Sequence, residues 1–455
     1  MNKFKSNIAD FLELFLPIRK AKFIRSKKRI LIFNWRDTRH IFTGGAEVYI
    51  HELAKRWVKD GNTVTLFCGN DGNCRRYEVI EGVQIIRRGG FYTVYFWAFL
   101  YYVLKLRNRY DIIIDSENGL PFFTPLYARK KIFCLMFHSH QEVFYKSLVK
   151  PIAFIASFFE RHIMPIIYRK VKFITISESS KKEIAELGLG QAGIDIVYPG
   201  VDITKFSPAT KASNPLILYL GRLKYYKSLN IFLRTAKEVL GRIPNAQFII
   251  AGDGEEKDEL LKLATRLKVS NRVSFLGRVS DKEKIDLYQR AWVFMNPSFM
   301  EGWGITTIEA NACGTPVVAS DVPGLRDSVN NPHNGFLITY GSVKEFSSHI
   351  LKLITDDTLR KQMSKEATEW AQQFDWQKSA DKSLAIINGL GNQHSLFLLE
   401  FPLTMKKVTY NIYYQTLSHR RKKTLLLPKL SLFRTRALTI QALLSKSLQK
   451  NHLFT

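Results

Sequence analysis

The sequence is short of acidic residues and of cysteine. Its 455 residues include 40 Asp and Glu against 68 Lys and Arg, which gives a formal net charge of +28 at pH 7. Such a balance indicates an anionic partner, which could be nucleic acid, acidic lipid or a phosphorylated substrate. The four cysteines are scattered, with neither a CxxC pair nor a paired histidine spacing. This pattern fits a reducing compartment and argues against a zinc site or a disulfide framework.

Three other signals are missing. The most apolar run, residues 91–104, is shorter than the roughly 20 residues that a membrane-spanning helix needs. The N-terminus lacks the uninterrupted apolar stretch of a secretory signal, so we expect a cytoplasmic protein. No GxGxxG fingerprint of nicotinamide cofactors is present. The composition is otherwise globular, with 46% hydrophobic and 24% charged residues, which excludes disorder over most of the length.

From residue 29 onward, short apolar segments alternate with longer amphipathic ones. This alternation predicts parallel sheets covered by helices on both faces, and hence a Rossmann-like α/β fold. It is interrupted at 196–208, where prolines and a glycine break both periodicities, and it then starts again. In the first half we predict strands at 29–34, 63–68, 111–115, 131–137 and 172–177, and helices at 46–59, 93–108, 143–169 and 179–187. In the second half we predict strands at 216–220, 246–251, 272–276, 292–296, 316–320 and 335–338.

The chain therefore divides into two doubly wound domains with an extension at each end. Because ligands of such sheets bind at the carboxyl ends of the strands, two facing domains would hold a ligand in the cleft between them. The predicted segments are an amphipathic basic N-terminal segment (1–28), a first Rossmann-like domain (29–203), a second one (204–375), a helix that returns to the first domain (376–390) and a basic tail of unknown role (391–455).

The two terminal segments carry much of the positive charge. Residues 391–455 contain eleven Lys or Arg and a single acid, Glu400. Apolar residues recur at helical spacing through residues 4–16, and a basic run at 19–29 follows them. This arrangement favours an interfacial helix on an anionic membrane, although a helix packed on the protein's own surface would give the same pattern. Nucleic acid is not expected as a partner, since no RNA-binding or helix-turn-helix motif appears.

In the first half, a glycine pair opens the first predicted helix. Gly44 and Gly45, followed by Glu47, would let backbone N–H groups approach a phosphate at the positive end of the helix dipole. A plain loop that needs glycine for turning is the alternative. Aromatic residues at 91–102 could widen a membrane contact or line an acceptor cleft.

In the second half, two cations follow the first predicted strand. Arg222 and Lys227 would lie at the mouth of the cleft, where they suit a diphosphate whose charge grows as a glycosyl bond breaks. At about 4 Å and an effective dielectric near 20, each contact contributes roughly 4 kcal/mol before desolvation. A solvated pair on a loop is the alternative. Gly252 and Asp253 begin a tight turn after the strand at 246–251, which is a weak signal by itself.

The strongest local signal is the segment FMEGWGITTIEANACGTPVVAS. Gly302 and Gly304 flank Trp303 just before a helix that starts near Ile305, so bare N–H groups would lie beside the carboxylate of Glu301. The second carboxylate, Glu309, lies one turn into the helix and could bond the paired hydroxyls of a ribose. Acids near a helix N-terminus are favourable to its dipole in any case, but this does not explain the bracketing glycines.

Over residues 29–390 these motifs, in this order and spacing, resemble the retaining GT-B glycosyltransferases of family 4. The resemblance implies an α/β fold of the GT-B type, with two Rossmann-like domains facing a central cleft, the first for the acceptor and the second for a nucleotide-sugar. It also implies an enzyme that uses no metal and no further cofactor. The motifs are GGAEVY, DSENGLPFFTPLY, FHSHQEVF, ISESS, YPGVD, GRLKYYK, AGDGEE, the pair of glutamates and VPGLRDSV.

The resemblance also implies roles for single residues. Arg222 and Lys227 would clamp the donor diphosphate, and Glu301 and Glu309 would contact the donor sugar and the ribose. His138 resembles the family histidine at the reacting sugar, with His140 as a second candidate. Further donor contacts are expected from Gly44, Gly45, Gly252, Asp253, Gly302, Trp303, Gly304 and Ile305, and an additional one from Glu47. Ser228 departs from the family pattern, which often has glycine after the lysine.

The implied reaction transfers a sugar to a glycan or lipid-linked acceptor with retention of the anomeric configuration. It would serve cell-surface polysaccharide or glycolipid synthesis at the cytoplasmic face of a membrane. The alternatives are a GT-B nucleotide-sugar epimerase, a sugar phosphorylase or a non-catalytic relative. No lysine is marked as a pyridoxal phosphate site, and the intact set Arg222, Lys227, Glu301 and Glu309 argues against lost chemistry.

Overall fold

The structure is a computed structural model that describes residues 27–389, except 142–143 and 146–148. Residues 1–26 of the predicted N-terminal segment, residue 390 and the basic tail lie outside the described residues. The start of the helix predicted at 143–169 also falls in this undescribed part.

The first half of the chain forms one eight-stranded sheet. Its interior strands are rich in Ile, Val, Leu and Phe and buried on both faces, as expected for strands covered by helices on both sides. Pairing is parallel except between β3 and β4, and the strand order is β3-β4-β2-β1-β5-β6-β7-β8. The strands are β1 (Arg29–Phe33), β2 (Thr63–Cys68), β3 (Tyr77–Ile80), β4 (Val83–Arg87), β5 (Ile112–Glu117), β6 (Lys131–Met136), β7 (Lys172–Thr175) and β8 (Ile194–Ile196).

The second half forms a six-stranded sheet that is parallel throughout. Its order, β11-β10-β9-β12-β13-β14, reverses direction between β9 and β12, as in a doubly wound Rossmann sheet. The strands are β9 (Leu216–Leu220), β10 (Gln247–Ala251), β11 (Val273–Gly277), β12 (Val293–Asn296), β13 (Val317–Ser320) and β14 (Gly335–Ile338).

Two features of the first sheet correct the sequence interpretation. The sheet is not purely parallel, because β3 and β4 form an antiparallel hairpin at one edge. Its turn residues, Glu81 and Gly82, both have positive φ, as a two-residue hairpin turn requires. β3 is half exposed and short, so it lacks the continuous apolar run of the interior strands. At the other edge, the three-residue strand β8 precedes the expected domain boundary and was also not predicted.

The helices largely follow the amphipathic segments. The segment predicted as a helix at 93–108 is α-helical only up to Tyr101 and continues as a π-helical turn over Tyr102–Leu106. A second π-helical turn, Phe159–Ile163, separates α3 from α4. The α-helices are α1 (Gly45–Lys59), α2 (Val94–Tyr101), α3 (Lys150–Phe158), α4 (Met164–Ile167), α5 (Glu178–Glu186), α6 (Leu229–Leu240), α7 (Lys257–Arg266), α8 (Asp281–Arg290), α9 (Ile305–Ala312), α10 (Leu325–Ser328), α11 (Val343–Thr355), α12 (Asp357–Ala371) and α13 (Trp376–Ile387).

The last described helix, α13, packs on the first half of the chain. The indole N–H of Trp57 on α1 donates to the carbonyl of Ala380 at 3.3 Å and to the hydroxyl of Ser383 at 3.1 Å. The hydroxyl of Ser379 donates to the carbonyl of Tyr198 at 2.6 Å. One apolar core cluster accordingly contains residues of both sheets and of α13. This continuous core holds the two sheets together within residues 27–389.

In the described part of the chain, no helix has both the length and the apolar character required to cross a bilayer.

Candidate active site

The site lies where the strand order of each sheet changes direction. In the second sheet this point falls between β9 and β12, whose carboxyl ends lead directly to Arg222 and to Glu301. In the first sheet it falls between β1 and β5, and β6 follows β5 in the order. Because parallel strands end at the same edge, residues distant in sequence meet at these two switch points.

On the second sheet, Tyr226 connects the two cations that follow β9. Arg222 Nη2 donates to the Tyr226 hydroxyl at 2.8 Å, and Lys227 Nζ lies 4.9 Å from the centre of the Tyr226 ring. Lys227 also donates to Glu301, which accepts from the hydroxyl of Ser298 at 3.2 Å. The two cations and the first carboxylate of the glutamate pair are thus held in one network, in which Arg222 remains exposed to solvent.

The turn after β12 meets the end of β6 across the cleft. A Cβ added at Gly302 would lie 3.3 Å from the carbonyl oxygen of Phe137 and 3.6 Å from Cδ2 of His138. His138 is therefore brought next to Glu301 and Gly302 from the opposite sheet. Glycine at this position allows the two backbones to approach closely.

The glycine pair before α1 also faces the second sheet. A Cβ added at Gly44 would lie 3.4 Å from Cζ of Arg222, and one added at Gly45 would lie 3.6 Å from Cδ1 of Ile305. Glu47 fixes this loop, since its carboxylate accepts from the backbone N–H of Gly44 at 2.7 Å and from Arg36 at 3.1 Å. Glu47 is fully enclosed, and its carboxylate also accepts from the side chain of Asn118 at 3.3 Å.

Arg36 was not anticipated. Its side chain is buried beside Glu47, and burial lowers its pKa, with Glu47 opposing and Arg222 adding to the effect. The two guanidinium groups therefore reach the same part of the cleft from opposite sheets. Two neighbouring cations make this loop favourable for an anion.

Helix α9 begins at the tight turn predicted from the sequence. Gly304 precedes it with φ +78° and has no side chain to cap the helix, and Ile305 is its first residue. The indole of Trp303 points into the core, where it packs against Tyr198 at 4.9 Å and Phe374 at 5.1 Å between ring centres. A donor contact at Trp303, as predicted from the sequence, would therefore have to come from its backbone.

The second glutamate is held by two residues of α8. Lys284 Nζ donates to Glu309 Oε1 at 2.9 Å, and the Tyr288 hydroxyl donates to Glu309 Oε2 at 3.0 Å. Burial works against the Lys284 charge, but Glu309 outweighs it and raises the pKa of Lys284. The Glu309 carboxylate is therefore fixed in orientation.

The turn after β10 is shaped by close backbone packing. Gly252 has φ +145°, and a Cβ there would lie 1.8 Å from the carbonyl oxygen of Gly221. The backbone carbonyl of Asp253 accepts from Leu223 N–H at 3.0 Å. Close backbone packing is therefore sufficient to explain why glycine is required at position 252, without reference to a ligand. The same contacts hold the turn at Asp253 against the loop that carries Arg222.

Ser228 adopts a backbone conformation that favours glycine. Its φ is +52°, and its hydroxyl lies 3.2 Å from the Tyr340 hydroxyl. The left-handed conformation explains the preference for glycine that the family resemblance implies. Serine adopts the same loop shape here at a local conformational cost.

Behind His138 lies a buried cluster of charged groups. His140 Nδ1 is 3.3 Å from Glu117 Oε2 and 3.7 Å from Glu160 Oε1, and all three side chains are enclosed. Burial alone would lower the pKa of His140, but Glu117 and Glu160 outweigh it and raise the pKa to about 10. Burial also raises the pKa of Glu117, and His140 opposes that rise. Because two buried carboxylates face His140, the proton of this cluster is assigned to its ring.

These three side chains are also close enough to hold a metal ion, with one potential ligand atom each within 4.8 Å of the others. Both oxygens of Glu160 already accept N–H donors, however, from the His140 backbone at 2.8 Å and from the Gln141 side chain. The cluster is therefore better suited to holding a proton on His140 than to coordinating a metal ion.

His138 itself is neutral. Burial lowers its pKa to about 4, with the adjacent His140 adding to the effect. Its Nδ1 lies 2.9 Å from the carbonyl oxygen of Ser139, which can only accept, so Nδ1 carries the proton. The other ring nitrogen, Nε2, is then a bare acceptor.

Sequence reasoning missed Arg36, Tyr226, Lys284, Glu117 and Glu160. Arg36 and Tyr226 stand close to motifs that were identified, so their positions after β1 and after β9 could have drawn attention to them. Lys284 and the two buried glutamates carry no local signal, since only the tertiary fold brings them to Glu309 and His140.

Comparisons with known proteins identify the family of the chain. The second half of the chain, residues 201–370, matches the sequence profile of group 1 glycosyl transferases, and residues 43–205 match that of glycosyltransferase family 4. The two profiles together cover residues 43–370, and the chain belongs to the glycosyltransferases of family 4 (group 1).

Curated relatives include glycosyltransferases. A D-inositol 3-phosphate glycosyltransferase of Rhodococcus jostii is 28% identical over 222 residues, which are 45% of this chain and 49% of the relative. The match thus spans about half the length of the curated relative.

Among solved structures, sucrose-phosphate synthase of Thermosynechococcus elongatus has a TM-score of 0.68 at 19% identity, over 80% of this chain and 99% of that one. Anabaena HepE in complex with UDP-glucose has a TM-score of 0.64 at 20% identity, over 80% of this chain and 100% of that one. These likenesses confirm the predicted α/β fold of the GT-B type, with two Rossmann-like units.

Proposed function

We propose that the protein transfers a sugar from a nucleotide-sugar to a glycan or lipid-linked acceptor, with retention of the anomeric configuration and without a metal ion. The observation that carries this proposal is the convergence of Arg222, Lys227, Glu301 and His138 at the two switch points. A cationic pair, a fixed carboxylate and a neutral imidazole are what a departing diphosphate and a sugar would require at one place.

The cations would act on the leaving group. As the glycosyl bond breaks, negative charge accumulates on the diphosphate, and Arg222 and Lys227 would stabilise it more strongly than in the ground state. The backbone N–H groups at the start of α9 would add to this stabilisation. We propose that these groups supply the charge compensation for which other transferases use a divalent cation.

The carboxylates would bind hydroxyl groups. Glu301 would contact the donor sugar, and Glu309, held by Lys284 and Tyr288, would bond the ribose. The Glu301 carboxylate is already engaged by Lys227 and by the hydroxyl of Ser298, so it is poorly placed to act as a nucleophile. This favours attack of the acceptor oxygen from the face that the leaving group vacates over a covalent intermediate on the enzyme.

An apolar, basic-edged surface on the first half supports a lipid-linked acceptor and a peripheral membrane location. Core residues on one face of the first sheet pack under α2 and under α4, so both helices cover the same face. Their outer sides expose large apolar residues next to Lys and Arg, as an interfacial surface on anionic lipid requires. The exposed apolar residues are Tyr92, Phe96, Phe99 and Leu104 around α2 and Ile152, Phe154, Ile155, Phe158 and Ile166 around α3 and α4.

Flotation with vesicles tests the membrane location. We expect the full chain to float with vesicles of phosphatidylglycerol and phosphatidylcholine, and the double variant Phe154→Glu, Phe158→Glu to float less. Leu261→Glu, at an exposed leucine of α7 in the other half, is the matched control and should float normally. Absence of flotation by the unmodified protein would exclude this location.

A donor screen tests the reaction. UDP-, GDP- and ADP-sugars should be incubated with the protein and a lipid-linked or glycan acceptor, beginning with UDP-glucose because a solved relative was crystallised with it. The proposal predicts a glycoside with the anomeric configuration of the donor, measured by proton NMR of the product. An isomerised nucleotide-sugar would instead indicate an epimerase, and no turnover with any donor would indicate a non-catalytic relative.

A further inference from the structure

The buried cluster Glu117–His140–Glu160 has no part in the chemistry described above, yet it lies directly behind His138. The rings of His138 and His140 are 4.4 Å apart between centres and inclined by 37°. His140 is followed on its other side by Phe144, whose ring stacks at 5.8 Å. The His140 ring is thus confined between His138, an aromatic ring and two carboxylates.

The hydrogen bonds of the two glutamates fix their position. Glu117, the last residue of β5, accepts the backbone N–H of Gly119 at 2.9 Å, which leaves its other oxygen facing His140. Glu160 lies on the π-helical turn Phe159–Ile163 and accepts the backbone N–H of His140 at 2.8 Å. Two buried carboxylates without a cation would be costly, so a protonated His140 is the group that makes this arrangement stable.

We propose that Glu117, His140 and Glu160 form a charged support whose imidazolium keeps Nε2 of His138 unprotonated and so available to accept a hydrogen bond from a substrate hydroxyl. His140 is in this view a positioning residue, since it acts through His138. The role toward substrate rests on the proposed function, whereas the charge states of the two histidines do not.

The other charged groups around His138 do not change this conclusion. Glu301 faces it from the opposite sheet but is paired with Lys227, and Glu183 on α5 accepts the backbone N–H of Ser139 at 3.0 Å. Glu160 and Glu301 favour a proton on His138, while burial and the His140 charge oppose it, and the pKa of His138 remains near 4. His138 is therefore neutral, and His140 charged, throughout the range from about pH 5 to pH 9.

The charge states are tested on the substrate-free full-length protein by NMR. Imidazole nitrogen shifts of histidine labelled with ¹⁵N are recorded from pH 5 to pH 9 and assigned with His138→Gln and His140→Gln. We expect two protonated nitrogens on His140 and one on His138, the latter at Nδ1, across this range. A neutral His140 at pH 7, or a divalent metal present at one equivalent and lost in Glu160→Gln, would overturn the proposal.

The link to activity is tested by the pH profile. Replacing His140 by Gln removes a cation and exposes His138 to two carboxylates, so the acid limb of kcat/KM should move upward by about one pH unit or more. His333→Gln, at an exposed histidine paired with Glu366, is the matched control and should leave the limb in place. An unshifted limb in His140→Gln contradicts the proposal. If the NMR results hold but no sugar is transferred, only the proposed function fails.

Discussion

On the C-terminal side of the cleft, Arg222 is exposed and Lys227 lies at the edge of the cleft, whereas the charged groups on the N-terminal side are almost all enclosed. The C-terminal cations are connected by the partly buried ring of Tyr226. The N-terminal imidazolium of His140 is surrounded by two carboxylates and covered by Phe144. One side is therefore arranged to receive an anion, and the other to keep its own charges in balance.

This difference indicates how the two sides divide the work. A diphosphate needs positive groups that it can reach, and these lose part of their hydration only when it binds. A sugar hydroxyl needs a neutral acceptor in a fixed position, and the half-buried His138 would fulfil this need. Substitutions on one side of the cleft should therefore affect diphosphate binding, and substitutions on the other side should affect the state of His138.

The largest effect is expected from the exposed side. The double variant Arg222→Gln, Lys227→Gln should lower kcat/KM with the accepted donor by a factor on the order of 10³–10⁴, because in the proposed function each cation would stabilise the leaving diphosphate. Steady-state kinetics measure this loss. Lys224→Gln removes a neighbouring cation that pairs with Glu255 instead, and it should reduce the rate by less than about twofold.

The buried side should show its importance in stability. His140→Gln leaves Glu117 and Glu160 enclosed without a cation, so the free energy of unfolding should fall by about 3–5 kcal/mol. Denaturation in guanidinium chloride at pH 7 measures the change. The exposed His333→Gln should alter it by less than about 0.5 kcal/mol. Equal effects of the two variants would mean that the cluster carries no charge.

A smaller effect is expected from the residue that connects the two cations. Tyr226→Phe removes the hydrogen bond to Arg222 but keeps the ring beneath Lys227, so binding of the nucleoside diphosphate should weaken roughly fivefold, equivalent to about 1 kcal/mol. Calorimetric titration measures it. The neighbouring Tyr225→Phe, on a ring turned to solvent, should bind as the unmodified protein does. An equal loss of affinity in both variants would mean that the Tyr226 hydroxyl has no specific part in binding the nucleoside diphosphate.

The smallest effect concerns the loop backbone. Ser228 has φ +52°, so replacing it by glycine removes a backbone strain of roughly 1–2 kcal/mol. The replacement also costs a similar or smaller amount, because glycine has more conformational entropy in the unfolded state and the contact with Tyr340 is lost. Ser228→Gly should therefore raise the free energy of unfolding by at most about 1 kcal/mol. Ser270→Gly, where φ is not positive, should lower it slightly. A larger loss in Ser228→Gly than in Ser270→Gly would show that the contact with Tyr340 matters more than the strain.

How far the sequence predicts this molecule depends on the distance over which each signal acts. The interior strands are continuous apolar runs bounded by turns, and these local features identify them. β3 is short and half exposed, so periodicity misses it. Arg222, Lys227 and Glu301 stand in contiguous motifs with glycines, and each could be selected by its neighbours in the chain.

The buried cluster of Glu117, His140 and Glu160, in contrast, depends on contacts between residues that are distant in the sequence. Glu117, His140 and Glu160 come from a strand end, a loop and a π-helical turn, and nothing near any of them in sequence marks the other two. Lys284 reaches Glu309 from a different helix in the same way. Charge compensation of this kind is a property of the folded chain, and periodicity does not encode it.

The most direct test of the account compares nucleotides that differ by one phosphate. Calorimetric titration of the unmodified protein with UDP, GDP and ADP, and with the corresponding monophosphates, measures what Arg222 and Lys227 recognise. We expect at least one diphosphate to bind, and to bind roughly tenfold or more tightly than its monophosphate, because in the proposed function Arg222 and Lys227 would contact the second phosphate. Equal affinity for the two forms, or binding of neither, would contradict the account.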